Sequence, residues 1–233
     1  MNPLLLVLLN TVAQEATIGG TVSLNGPVPE PKTFNTRRLD AEKLYPDGVT
    51  YSPIRVDQDK RVESAFVYVK SGLEGRTFEV PSEPKTLDFE NFQLTPRVLG
   101  IMAGQRLIVT NKEAAFHAVH ALPRIKENKE FNTGLPSKGM TKEATFARPE
   151  VAIRIVGEEH HRDWEVAWVA VLPHPFYAVT DARGDFEIKG LPPGGYEIEA
   201  WQEHCAPVVQ RIEVNAGQKA KLNFALEARK NPK

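Results

Sequence analysis

Apolar and polar residues alternate along much of this chain, in short runs separated by turns that contain Pro and Gly. The run VESAFVYVK (62–70) alternates strongly, and residues 17–24 alternate before the turn cluster NGPVPEP. A period of two is the spacing of a strand with one buried face. The 18 Pro and 16 Gly residues lie between these runs, which favours β-structure over long helices. The pattern therefore predicts an all-β protein.

A second group of predicted strands occupies the middle of the chain. FQLTPRVLGIMAGQRLIVTNKEAAFHAVH (92–120) reads as a strand, a Gly turn and a second strand that ends in Asn111, followed by His117. EVAIRIVGEEHHRDWEVAWVAVL (150–172) reads as a strand, a tight loop and a strand. The intervening polar residues 123–139 predict a long surface excursion. These strands are sufficient for a β-sandwich of their own.

A third group follows the prolines at 173 and 175. TDARGDFEIKGLPPGGYEIEAW (180–201) predicts a strand, an LPPGG turn and a strand, and two more strands are predicted at 208–214 and 220–226. The alternating apolar positions are Phe186, Ile188, Tyr196, Ile198 and Ala200. The chain therefore has enough strands for two sandwiches.

The first residues predict export. MNPLLLVLLNTVA (1–13) is an apolar run of signal-peptide length that ends in a small residue, with cleavage expected after Ala13. It lacks a Lys or Arg before the apolar run, and the alternative is an apolar first strand. We expect a secreted or periplasmic protein that is not integral to a membrane, because the run is too short to span a bilayer. The single cysteine, Cys205, excludes an intrachain disulfide.

Composition limits the classes of partner and activity. With 29 basic and 30 acidic residues the formal charge is −1, so electrostatics give no argument for nucleic acid. The sequence contains no G-x-S-x-G, P-loop or G-x-G-x-x-G motif. We expect a non-enzymatic binding or structural protein, whose partner, a protein or a carbohydrate, the sequence does not identify.

Residues 180–201 resemble the carboxypeptidase-regulatory-like (transthyretin-like) sandwich. That family has the typical stretch T-D-x-x-G-x-F-x-[LI]-x-G-L-P-P-G-x-Y. The matching positions here are Asp181, Gly184, Phe186, Gly190, Leu191, Pro193, Gly194 and Tyr196. The resemblance implies a fold and is nearly silent on function.

Residues 84–172 resemble the cupredoxins, in particular the plastocyanin-like proteins often labelled methylamine-utilisation proteins. The matching elements are the strand and turn at 96–104, Asn111, His117 and the closing strand WEVAWVAVL. The resemblance implies a Greek-key sandwich. It also implies a copper ion held by one early His and by a Cys, a His and usually a Met from the last loop.

The order of the segments leaves two layouts open. A regulatory-like sandwich normally begins with strands like GGTVSLNG (19–26) and SAFVYVK (64–70), and here these precede the cupredoxin-like segment. In one layout the cupredoxin-like segment 84–172 is inserted, so that 17–75 and 174–229 build one sandwich. In the other, two consecutive sandwiches divide near residue 175. In the first layout the first strand should pair with the C-terminal region.

The last loop of the cupredoxin-like segment lacks the expected copper ligands. The family's short-loop order is Cys-x-x-His-x-Trp-Met. On this order Trp164 places the Cys position at Glu159, the His position at Arg162 and the Met position at Glu165. Blue copper requires a thiolate, and Arg162 is a permanent cation. The resemblance therefore implies a degenerate blue-copper site in which only His117 keeps the expected residue type.

Two interpretations of the loop remain. In the first, Glu159 pairs with Arg162, and Glu165 holds Arg162 or His117, so that a polar cluster closes the former copper cavity. In the second, a non-blue site binds Cu(II) or Zn, because imidazole and carboxylate suit both metals. Its candidate ligands are His117, His160, His161, Glu159 and Glu165. His120 is excluded from that set because an odd step on a strand places it on the face opposite His117. A hydrolase built on Glu159, Glu165 and His117 is the least favoured alternative.

Overall fold

A computed structural model describes residues 14–36, 40–157 and 164–229 of the chain. The predicted signal segment 1–13 and the residues Glu158–Asp163 of the loop lie outside these ranges. The strands, in chain order, are β1 (Ala16–Asn25), β2 (Lys32–Phe34), β3 (Val49–Tyr51), β4 (Phe66–Ser71), β5 (Lys85–Glu90), β6 (Gln93–Thr95), β7 (Val98–Met102), β8 (Arg106–Asn111), β9 (His117–Leu122), β10 (Phe131–Leu135), β11 (Thr141–Thr145), β12 (Glu150–Val156), β13 (Val166–Leu172), β14 (Tyr177–Val179), β15 (Asp185–Leu191), β16 (Gly194–Trp201), β17 (Cys205–Ala206), β18 (Val208–Val214), β19 (Lys219–Lys221) and β20 (Phe224–Ala228). One short 3-10 helix spans Asp40–Lys43. No helix of the described ranges is long and apolar enough to cross a membrane.

The strands form four large sheets, which confirms the all-β prediction. The first sandwich consists of the sheet β15-β1-β20-β17, to which β19 adds by pairing with β1, and the sheet β14-β4-β16-β18. The second consists of the sheets β10-β9-β12-β13-β7 and β11-β8-β5-β6. Strands β2 and β3 form a separate hairpin.

The first strand pairs with strands from the end of the chain. β1 is antiparallel to β15 and parallel to β19 and β20. Each of the two sandwiches has a hydrophobic core between its own two sheets. Val67 and Val69 of β4 face the first core, and Ile153 and Ile155 of β12 face the second.

A third, aromatic cluster packs the two sandwiches against each other. Phe66 and Tyr68 project from β4 on the face opposite Val67 and Val69, and they meet residues of β7 and β13. Four consecutive residues of β4 are therefore buried. Trp168 and Trp201 meet in this cluster with their ring centroids 5.5 Å apart. The sheets β14-β4-β16-β18 and β10-β9-β12-β13-β7 are the two inner layers of a four-layer stack.

The T-D-x-x-G turn forms as its sequence predicts. The Asp181 carboxylate accepts hydrogen bonds from the backbone N–H groups of Arg183 and Asp185, at 2.8 and 3.0 Å. Gly184 has a φ of 71°, which favours glycine. Phe186 and Tyr196 face the same core. In contrast, the predicted surface excursion 123–139 contains strand β10, which pairs with β9.

Candidate functional site

His117 is the first residue of β9 and its side chain is buried at one end of the second sandwich. Only 2% of the residue is exposed. The ring of Phe89, from β5, stacks on the imidazole at a centroid distance of 4.4 Å and an angle of 16°. Phe92 packs beside it at 5.2 Å. Two aromatic rings therefore fix the plane of the imidazole.

Glu113 fixes the orientation of the imidazole within that plane. His117 Nε2 lies 2.8 Å from Glu113 Oε2. The same carboxylate oxygen accepts a hydrogen bond from the backbone N–H of Phe92 at 3.1 Å. A carboxylate only accepts, so Nε2 donates, and the neutral ring then carries its lone pair on Nδ1.

Asn111 holds the turn that carries Glu113. Its Nδ2 donates to the backbone carbonyls of Ala115 and Leu135, both at 2.8 Å. Its Oδ1 accepts from the backbone N–H of Glu113 at 2.8 Å. Asn111 is completely buried, and its hydrogen bonds bring the end of β8, the turn and β10 together. The local motif identifies Asn111 but not Glu113, whose position four residues before His117 is the available signal.

Glu165 is buried at the point where the chain enters β13. It is 1% exposed, and its backbone carbonyl accepts from the Gly157 N–H at 2.9 Å. A Cβ at Gly157 would lie 2.2 Å from Glu165 Oε2. Glycine at 157 therefore makes room for the Glu165 carboxylate at the base of the 157–165 connection.

The other predicted site residues of the loop, Glu159, His160, His161 and Arg162, lie outside the described residues. Within the described ranges, no three or more His, Cys, Asp or Glu side chains are grouped so as to hold a metal ion. His120 is half-buried and its Nε2 lies 2.6 Å from Glu130 Oε1. Its side chain thus has a different environment from that of His117, as the odd step between them predicts.

Trp164, which sets the alignment of the loop, packs outside the main cores. Its ring lies 4.9 Å from that of Phe34, and it forms a small cluster with Val49 and Tyr51 of the β2–β3 hairpin region. The hairpin therefore covers the end of the second sandwich next to the connection 157–165.

The only thiol of the chain, that of Cys205, belongs to the other sandwich. Cys205 is completely buried in the core of the first sandwich. Burial raises the pKa of its thiol to about 12, so the group stays protonated at neutral pH.

A polar network that the sequence did not predict links the two sandwiches. Arg97, between β6 and β7, forms an ion pair with Glu203 and also donates to the hydroxyl of Tyr51. The Tyr51 hydroxyl lies 2.9 Å from His204 Nε2. Gln202 donates to the second oxygen of Glu203 at 3.0 Å. The residues that follow β16 thus supply contacts between the sandwiches.

Comparison with known families and structures gives one family match. Residues 165–227 match the carboxypeptidase regulatory-like domain. The match begins one residue before β13, which pairs with β12 and β7 of the second sandwich, and continues through the C-terminal strands of the first. A search of curated proteins found no match to the chain.

Several solved structures match part of this chain. The Cu-containing nitrite reductase NirK from Thermus scotoductus SA-01 is 18% identical, with a TM-score of 0.34; the match covers 45% of this chain and 25% of the reductase. A purple cupredoxin from Nitrosopumilus maritimus is 20% identical, with a TM-score of 0.30 and coverage of 37% of this chain and 98% of the cupredoxin. An oxidised amicyanin variant is 17% identical, with a TM-score of 0.33 and coverage of 45% and 97%. This chain is therefore similar to carboxypeptidase regulatory-like domains over residues 165–227, and its structural neighbours include cupredoxins.

Proposed function

We propose that this protein is an exported, non-enzymatic binding or structural protein whose cupredoxin-like unit has a degenerate blue-copper site. The observation that carries the proposal is the position of Cys205. A blue-copper centre requires a cysteine thiolate, and the only cysteine of the chain is enclosed in the hydrophobic core of the other sandwich. No thiolate is therefore available to a metal at His117.

The residues at the other ligand positions do not fit blue copper either. Glu165, at the position of the axial Met, is a buried carboxylate. Arg162, at the position of the second His, keeps its positive charge at every physiological pH. In our proposal Glu159, Arg162 and Glu165 form a polar cluster over His117. Such a cluster compensates the cost of burying the Glu165 carboxylate.

A second candidate function is the binding of Cu(II) or Zn without a thiolate. The Glu113–His117 hydrogen bond favours it, because metal-binding histidines commonly donate their other ring N–H to a carboxylate. In this alternative His117 supplies Nδ1, and Glu159, His160, His161 and Glu165 supply the remaining donors. Such a metal would act as a structural or Lewis-acidic centre.

Metal analysis of the purified protein separates the two candidates. We expect less than stoichiometric copper and zinc by elemental analysis, both as isolated and after incubation with Cu(II) and dialysis. Copper-loaded samples should lack the intense visible band of a thiolate–Cu(II) bond. One equivalent of metal that is lost in His117→Ala, and also in the more conservative His117→Gln, would overturn the first candidate in favour of the second.

Export and the layout of the two units are parts of the same proposal. The apolar segment 1–13 supports export, and N-terminal analysis of protein recovered from the periplasm or medium should find a chain that begins at Gln14.

The pairing of β1 with β15, β19 and β20 supports an insertion of 84–172 between 17–75 and 174–229. We infer that the partner is a protein or a carbohydrate rather than a nucleic acid, because the net charge of −1 offers no attraction for phosphates.

A further inference from the structure

A cavity of about 550 Å³ lies between the two sandwiches. It is formed by the end of β4, the segment that follows it, the start of β12 and the end of β13. These are the ends of β12 and β13 opposite the 157–165 connection, so the cavity is remote from the candidate site at His117. Its volume is in the range of small-molecule pockets, which commonly form at domain interfaces.

One wall of the cavity is apolar. Leu73, Phe78, Val151 and Leu172 line it together with two prolines. The buried polar side chain of His174, also in the lining, is already used by the protein. Its Nε2 donates to the Val69 carbonyl at 2.8 Å and its Nδ1 accepts from the Phe176 N–H at 3.2 Å. This part of the cavity therefore suits the apolar portion of a ligand.

The acidic residues of the lining bind groups of the protein itself. The carboxylate of Glu150 accepts from the backbone N–H groups of Arg124 and Ile125, at 2.6 and 3.3 Å, and from Asn128 Nδ2 at 3.0 Å. The two oxygens of Glu74 accept from the Gly72 N–H at 3.1 and 3.0 Å. Both carboxylates are thus turned toward backbone donors.

The basic residues of the lining keep donors available. Lys70 Nζ lies 2.6 Å from Glu199 Oε2, and this bond leaves further N–H groups of the ammonium unused. The hydrogen bond to Glu199 raises the pKa of Lys70, so the cation persists at neutral pH. Arg76 is exposed, and its guanidinium is in no ion pair with a described residue. The cavity therefore combines an apolar wall with two cations that retain unused donors.

We propose that this cavity binds a small amphipathic organic anion. The apolar part of the ligand packs against Leu73, Phe78 and Leu172, and its carboxylate, sulfonate or phosphate group is held by Arg76 and Lys70. This proposal goes beyond the proposed function, because it assigns a ligand class to a site that shares no residue with the metal question at His117.

A pair of fluorescent probes tests the proposal. 1-Anilinonaphthalene-8-sulfonate carries an apolar ring system and an anionic group, and N-phenyl-1-naphthylamine has the same rings without the charge. We expect the full-length protein to bind one equivalent of the sulfonate probe. Arg76→Gln should raise its Kd about tenfold, the effect of losing one charge-assisted hydrogen bond. Arg76→Glu should raise it further, and the Kd of the neutral probe should change less than twofold in both variants.

Arg183→Gln is the matched control. Arg183 is an exposed cation in the turn before β15, near the Phe66 end of β4 and away from the cavity, so its removal should leave both Kd values unchanged. Hydrogen exchange should show that the sulfonate probe protects the amides of residues 69–76 and of Glu150 and Val151. Unsaturable binding, equal weakening by Arg76→Gln and Arg183→Gln, or protection confined to other segments would overturn the proposal. Because Arg76 is exposed, its variants are expected to fold, which a thermal unfolding curve checks.

Discussion

Arg97 and Glu203 form a buried ion pair that joins the two sandwiches, with Nη2 and Oε1 separated by 2.9 Å. The side chains are only 14% and 3% exposed. Arg97 also donates to the backbone carbonyl of Val166 at 3.0 Å, so the guanidinium contacts the first residue of β13 as well. The interface is therefore specified by polar groups in addition to the aromatic cluster around Phe66 and Trp168.

Removing the carboxylate of this pair should destabilise the whole protein. Glu203→Ala removes the carboxylate that neutralises the Arg97 cation at the interface, which costs about 3 kcal/mol in the free energy of unfolding. Urea denaturation followed by tryptophan fluorescence measures the loss. Glu187→Ala, which removes an exposed ion pair with Lys189, should change the same quantity by less than about 0.5 kcal/mol. Equal effects of the two substitutions would contradict a role for the buried pair in holding the interface.

Gly100 should not tolerate a side chain. The Tyr177 ring packs against it, and a Cβ at Gly100 would lie 2.2 Å from a ring carbon. The Tyr177 hydroxyl also donates to the Gly100 carbonyl at 2.6 Å. We expect Gly100→Ala to cost about 1–3 kcal/mol through overpacking between the sandwiches, measured by urea unfolding. Gly195→Ala is the control, because its added Cβ meets nothing within 4 Å and the lower entropy of the unfolded chain would if anything stabilise the variant; a comparable loss there would contradict overpacking against Tyr177 as the cause.

The sequence predicted the strands well because each follows from local alternation, but it did not predict how the sandwiches meet. The alternation around residues 66–69 predicts a strand with one buried face, whereas both faces of β4 are buried. The run of four consecutive apolar residues is the signal for burial on both faces, since a strand covered on both sides need not alternate. The Arg97–Glu203 pair gave no signal, because its members are 106 residues apart and each is an ordinary charged residue in its local context. Strand β10 gives little signal because only Phe131 and Leu135 of its five residues are large and apolar, and the strand lies at a sheet edge.

The candidate site was also predicted only in part, because some of its residues stand out in the local sequence and others act through the folded structure. His117 and Asn111 stand out in a local motif, and the structure places both at one end of the second sandwich. The role of Glu113 depends on a turn that brings its carboxylate back toward β9. That geometry comes from the hydrogen bonds of Asn111 to Ala115 and Leu135, which spacing alone does not reveal.

Cys205 should be inert in the folded protein. Burial raises the pKa of its thiol from 9.0 to about 12, so the thiolate that reacts with alkylating agents is scarce at pH 8. We expect iodoacetamide to label Cys205 only after denaturation, as mass spectrometry would show. Because the folded state holds this proton more tightly than the unfolded state, the thiol contributes stability that is complete below about pH 9 and is lost as the pH rises through about 12. Rapid labelling of the native protein would contradict the buried position and reopen the possibility of a thiolate ligand.

Glu113 should determine which nitrogen of His117 carries the proton. In the wild-type protein the Nε2–H tautomer is expected, because Nε2 faces Glu113 Oε2 at 2.8 Å. Glu113→Ala removes the acceptor, so nitrogen NMR of the imidazole should show loss of that fixed tautomer, and the free energy of unfolding should fall by about 1–3 kcal/mol. Glu130→Ala is the control, since it removes the 2.6 Å contact of His120 without touching His117. If the His117 signals respond equally to both substitutions, the tautomer is set by the fold as a whole. A response to Glu113→Ala alone would show that this carboxylate orients Nδ1, whether that nitrogen belongs to a polar cluster or to a metal site.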